Sequence, residues 1–112
     1  MKLIYLAHPY GGDKTNITRS AELAENLTKQ YTHTHFINAV GHFAGFAGLK
    51  DEKWIMRACL DLLQRCDALW VGPGWETSPG CGQEIAEARK MGMAIVYIVD
   101  KRPTQGQEAT DD

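Results

Sequence analysis

The sequence predicts an α/β domain in which a parallel β-sheet is covered by helices on both faces. Apolar runs of strand length alternate with stretches of helical periodicity along the chain, in the order strand, helix, strand, helix, strand, helix, strand. Two of the runs, Leu3–Ala7 and Ala68–Val71, are apolar at consecutive positions, the pattern of strands buried on both faces. At 112 residues the chain is one domain with room for a continuous core.

Taken in order, Leu3–Ala7 is the first strand and breaks at His8-Pro9 and Gly11-Gly12 into a loop. A helix follows from about Thr15 to Tyr31, capped by Thr15 or Asn16, with Ile17, Ala21, Leu23, Ala24 and Leu27 at helical spacing. His35–Val40 reads as the second strand, and the glycine-spaced stretch Gly41–Gly48 as a loop, because so many glycines disfavour a helix. The second helix spans about Glu52–Arg65, with Ile55, Ala58 and Leu62 facing inward, joined by Trp54, Cys59 or Leu63. Cys66–Val71 is the third strand, Gln83–Met91 the third helix and Met93–Val99 the last strand. Residues 1–103 form the folded domain, and the polar, acidic and aperiodic 104–112 a disordered tail. In a parallel sheet of this kind ligands bind beyond the carboxyl ends of the strands. The segments His8–Asp13, Gly41–Gly48 and Gly72–Glu84 all fall there.

Composition narrows the function. A net charge of -2 with no Lys/Arg block gives a nucleic-acid partner no electrostatic support. Met1–Ala7 is too short for a signal peptide or membrane span, and nothing else approaches membrane length. Cys59, Cys66 and Cys81 form no CxxC pair and no metal-ligand rhythm with the four histidines, so no disulfide framework or metal site is indicated, and a reducing cytoplasm fits best. No base neighbours them in sequence, so a thiol nucleophile is not indicated either. Gly11-Gly12 would let a ligand approach the backbone closely. No GxGxxG follows, however, so no dinucleotide cofactor is expected, nor any other.

The segment Ser78–Glu84 (SPGCGQE), between the third strand and third helix, says most about chemistry. A Ser/Gly-rich turn into a helix offers free N–H groups and a positive dipole end, which suit a phosphate. Glu84 would then point at whatever the phosphate carries, which suggests a nucleotide or sugar phosphate. The same residues also make an ordinary N-capped turn, with an acid favoured by the dipole. His8 and His42 lie on loops at the ligand edge, whereas His33 and His35 lie at the opposite end. Tyr5 stands two residues before the end of its strand. Trp70 reads as core, Asp67 as a strand-start residue and Trp75 as a candidate for the pocket mouth.

Three segments together, Ile4–Gly12 (IYLAHPYGG), Arg65–Glu84 (RCDALWVGPGWETSPGCGQE) and Ala86–Gly92 (AEARKMG), resemble the nucleoside 2-deoxyribosyltransferase superfamily. Within it the chain is most similar to the 2′-deoxynucleoside 5′-monophosphate N-hydrolases and to small uncharacterised phage or bacterial relatives, and the likeness covers roughly residues 2 to 99. Its most specific piece is Ser-x-Gly-x-Gly-x-Glu. The resemblance implies a three-layer, flavodoxin-like (Rossmann-like) fold and a homo-oligomer, which the loop aromatics Phe43, Phe46 and Trp75 also favour. It implies that Glu84 is the nucleophile attacking the anomeric carbon of a nucleotide substrate, with Tyr5 beside it. Ser78 and the amides around Gly80 and Gly82 would hold the 5′-phosphate, Gly11-Gly12 matches a ligand loop, and His42 matches a histidine of the second loop. One departure stands out. Relatives usually carry an aspartate in the helix before the third strand, where this chain has Cys59, and Asp61 two residues on is turned about 200° away.

Overall fold

The computed structural model describes residues 1–99. The proposed tail, 104–112, lies outside the described residues. Four strands, β1 (Lys2–Ala7), β2 (Thr34–Asn38), β3 (Ala68–Val71) and β4 (Ala94–Tyr97), form one sheet in the order β2-β1-β3-β4. Every pairing is parallel, with Ile4 opposite Phe36 and Ala68, and Ala68 opposite Ala94. The described residues also form four α-helices: α1 (Lys14–Gln30), α2 (Ala39–Phe43), α3 (Glu52–Leu63) and α4 (Pro79–Lys90). The protein is a three-layer α/β domain of flavodoxin-like architecture.

Alternation along β1 builds the two outer layers. Ile4 and Leu6 pack on one face with Leu23 and Leu27 of α1, Tyr31, Phe36, Trp70 and Val96. Tyr5 and Ala7 pack on the other with Cys59 and Leu63 of α3, Cys81, Ile85 and Ala88 of α4, and Ala39 and Phe43 of α2. From Ile4 onward both faces of β1 are dry, as are those of β3, which is why Ile4–Ala7 and Ala68–Val71 are apolar without a break. From β1 the chain runs outward to β2 in one direction and through β3 to β4 in the other. The loops leaving β1 and β3 therefore part at the carboxyl edge and open a crevice between them.

Three boundaries differ from expectation. The stretch after β2 is not a loop: Ala39–Phe43 is helical, followed by a 3-10 turn at Ala44–Phe46, and β2 ends at Asn38. Asn38 caps the helix by accepting Gly41 N–H at 3.2 Å, and Ala39, Val40 and Phe43 bury one side of it. That burial outweighs the roughly 1 kcal/mol that a helical glycine costs. Helix α4 starts at Pro79, four residues earlier than read, because proline suits the first turn and Ser78 caps it. Helix α1 is capped by Asp13, whose side chain accepts Thr15 N–H, and not by Thr15 or Asn16. Smaller shifts end α3 at Leu63, with Trp54 exposed, and trim β3 and β4 by two and three residues.

Candidate functional site

The crevice is a cleft of about 980 Å3, at the upper end of small-molecule pockets. Its walls come from the β1–α1 loop, from α2 with the segment after it, from the first turns of α3, and from the β3–α4 turn. On the α2 and α3 side Ala39, Val40, Phe43, Ile55 and Met56 form an apolar stretch, bordered by Lys50, Asp51 and Glu52.

At its floor Tyr5 donates its hydroxyl proton to Glu84 Oε2. The two residues are 79 apart in sequence and both are buried, Tyr5 completely and Glu84 to 6 % exposure. Burial sets the electrostatics. It lifts Glu84 from the ordinary 4.5 to about 7, against the hydrogen bond from Tyr5, which favours the ionised form. Tyr5 is held well above its ordinary range, first by burial and then by the adjacent Glu84 charge, so it stays a hydrogen-bond donor. Two thiols complete the floor. Cys59 hydrogen-bonds with Tyr5, and both Cys59 and Cys81 are pushed up to about 11, mainly by burial and further by Glu84. Thiols so poised are weak nucleophiles.

Helix α4 begins directly beside this floor. Ser78 Oγ accepts Cys81 N–H at 3.2 Å, and Gly82 N–H donates to the Ser78 carbonyl at 3.1 Å. Pro79 has no N–H, so the Gly80 amide is the donor of this turn with no acceptor among the described residues, and a Cβ added to Gly80 would stand 3.4 Å from Met56 Cε. The Ser78 side chain also hydrogen-bonds with the Cys81 thiol. The opposite lip is the β1–α1 loop. Gly11 and Gly12 take φ of +55° and +78° with open space where a side chain would stand, so backbone conformation, not crowding, calls for glycine.

Of the residues singled out in the sequence, the cleft brings together His8, Gly11, Gly12, Ser78, Gly80 and Glu84, with Tyr5 bonded to Glu84 from below. His42 and Gly82 are not part of its wall. His42 is exposed and its ring packs on Phe43 and Phe46 at 4.6 and 5.9 Å, while Gly82 is exposed on α4 with its amide bonded inside the helix. Trp75 also lies off the mouth, packed on Tyr97 at 5.1 Å. Trp70 is core, and Asp67 accepts Leu3 N–H at 2.7 Å, as a strand-start residue does. Cys59 does face the Tyr5–Glu84 pair, and Asp61 is exposed on the far side of α3. Sequence reasoning missed Cys81 and the apolar α2 wall; the signal for the wall was Asn38 followed by Ala39, Val40 and Phe43 at helical spacing.

Among the described residues no group of three or more His, Cys, Asp or Glu is placed to hold a metal ion, and no helix is long and apolar enough to cross a membrane. No curated protein matches the chain. Residues 2–98 match the family described as a domain of unknown function, DUF7768, which spans every strand and helix above. The chain belongs to that family.

Proposed function

We propose that the protein cleaves the N-glycosidic bond of a nucleoside 5′-monophosphate, most simply a deoxynucleotide, by hydrolysis or by transfer of the sugar to a second base. One observation carries the reading: a buried carboxylate, Glu84, lines a nucleotide-sized cleft within the first turns of a Ser-capped helix and is held there by the Tyr5 hydroxyl. The likeness of Ser78–Glu84 and Ile4–Gly12 to the nucleoside 2-deoxyribosyltransferase superfamily supports it.

In this reading the Ser78 hydroxyl and the Gly80 amide receive the 5′-phosphate, aided by the α4 dipole. The apolar wall of Ala39, Val40, Phe43 and Ile55 takes the flat faces of the base. Ionised Glu84 attacks C1′, the C1′–N bond breaks with its electron pair leaving on the base, and a glycosyl ester forms. Tyr5 orients the carboxylate and keeps its charged form available despite burial. Incubation with ribo- and deoxynucleoside monophosphates, read as free base by chromatography, tests this. Release from at least one, abolished in Glu84→Gln, is the expected result; no release from any overturns it.

A second reading, a module that binds or senses a nucleotide without cleaving it, draws on Cys59, a neutral thiol where a carboxyl is expected beside the Tyr5–Glu84 pair. Tight nucleotide binding without base release separates the two. A homo-oligomer belongs to the same proposal, on different support from that read in sequence. Phe43 is buried and Trp75 packs on Tyr97, but Leu49 and Trp54 near the cleft are 75 % and 42 % exposed. A sedimentation coefficient of a monomer at micromolar concentration contradicts it.

A further inference from the structure

We infer that His8 is the general base that delivers water to the glycosyl-enzyme, acting from the side of the cleft opposite Glu84. The inference rests on the glycosidase reading above and assigns its second half-reaction.

Position comes first. Along β1, Tyr5 and Ala7 face α3 and α4, while Ile4 and Leu6 face α1. His8 continues on the α1 side. Its Cδ2 and the Cδ2 of Leu23 in α1 lie 2.8 and 3.2 Å from where a Cβ on Gly72 would stand, so Gly72 leaves room for this ring at the end of β3. Glu84 rises from α4 on the other face of the sheet, and both residues line the cleft that opens over the strand ends.

The ring is chemically prepared. Its Nδ1–H donates to the Pro9 carbonyl at 2.8 Å, which places the lone pair on Nε2. Burial, the largest influence, disfavours the charged ring and Arg19 adds to it, outweighing the Pro9 hydrogen bond, so the pKa lies below the ordinary 6.5. The imidazole is neutral near pH 7 and open to accept a proton.

The reaction requires such a group. Once Glu84 is esterified, its carboxylate can no longer take a proton from water. A double displacement also needs that water on the sugar face vacated by the base, across from the ester. The water oxygen forms its bond to C1′, the C1′–O bond to Glu84 breaks with its electron pair returning to the carboxylate, and the water proton passes to His8 Nε2 and on to solvent. The alternatives on this lip are poor. Asp13 Oδ1 is engaged by Thr15 N–H and Oγ–H at 2.9 and 2.7 Å, which holds its pKa below the usual carboxylate value. Asn16 is an amide whose side chain donates to the Tyr10 carbonyl.

The experiment uses rapid-quench kinetics on dAMP, dGMP, dCMP and dTMP with the full chain and with His8→Asn, whose amide keeps a donor for Pro9 but supplies no base. Expected is a first-turnover release of base within a few-fold of wild type, a steady-state rate lower by roughly 10²–10⁴, and a sugar-phosphate adduct on Glu84 visible by mass spectrometry. Azide, which attacks without giving up a proton, restores the variant's turnover to within about tenfold of wild type. His8→Gln repeats the measurement in case Asn perturbs folding. Unchanged steady-state turnover, or a loss shared by the first turnover and not rescued by azide, overturns the role of His8 while the glycosidase reading stands. Release of no base from any of the four by the wild type overturns both.

Discussion

The two faces of one sheet are built to different ends. Toward α1 the sheet is aromatic and aliphatic: Trp70 meets Tyr31 and Phe36 edge-on, each at 5.2 Å between ring centres, over Ile4, Leu6, Leu23 and Leu27. Toward α3 and α4 the same strand contributes Tyr5, and the neighbouring helices contribute Cys59, Cys81 and Glu84. One face gains stability from the rings and aliphatic side chains it buries. The other buries a carboxylate whose ionisation the fold resists, a destabilisation that the proposed reaction would turn to use by keeping its nucleophile away from water.

The largest expected effect belongs to the polar face. Glu84→Gln is nearly isosteric and still accepts the Tyr5 hydroxyl, yet an amide forms no glycosyl ester. Base release should fall at least about 10⁴-fold, about 5 kcal/mol of barrier, with an unchanged circular dichroism spectrum. Activity within a few-fold of wild type would detach the polar face from catalysis.

Next comes the apolar face. Trp70 is 2 % exposed and wedged between two rings, so Trp70→Ala should lower unfolding free energy by about 3–5 kcal/mol in urea titration. Base release per folded molecule should hold, since no atom of Trp70 lines the cleft. A proportionate loss of both would mean that the two faces are not separable.

The faces also differ in how far they could be read in advance. Strands β1 and β3 and the Trp70 core were plain because a doubly buried strand leaves an unbroken apolar run. The cap at Ser78 and the carboxylate at Glu84 were plain because capping is local chemistry within a few residues. Helix α2 was hidden, since its glycine is locally unfavourable and its support comes from burial of Ala39, Val40 and Phe43 against distant elements. The pairing of Tyr5 with Glu84 across 79 residues was reachable only through resemblance, because periodicity fixes the face of a side chain and not its partner. His42 stands off the cleft wall for the same reason: the turn of α2 that carries it leaves it exposed.

A pH titration of stability tests whether Glu84 is the cause of the difference. Its pKa is about 4.5 unfolded and about 7 folded, so the unfolded chain releases the proton first as pH rises. Stability owed to this group is full below about 4.5 and declines until about 7, after which the loss is constant at about 3 kcal/mol. Glu84→Gln should melt with wild type at pH 4 and become the more stable protein by about that amount at pH 8. Parallel melting curves for the two proteins across that range would show that the carboxylate is not desolvated.

The smallest effect separates a cap from a ligand site. Ser78 Oγ accepts Cys81 N–H, so Ser78→Ala removes the cap of α4 and should cost about 0.5–2 kcal/mol of stability regardless of function. If the same hydroxyl also donates to a 5′-phosphate, affinity for nucleoside monophosphates falls by a further 1.5–3 kcal/mol or so, while that for the matching nucleosides does not. Ser78→Asp sharpens the test. Aspartate caps as well as serine, so the melting temperature should recover, but its charge repels a phosphate and nucleotide affinity should drop below that of Ser78→Ala. Calorimetric titration of the three proteins with a nucleotide and its nucleoside reads both quantities. Equal losses for the two ligands would leave Ser78 a cap and the helix end without its phosphate.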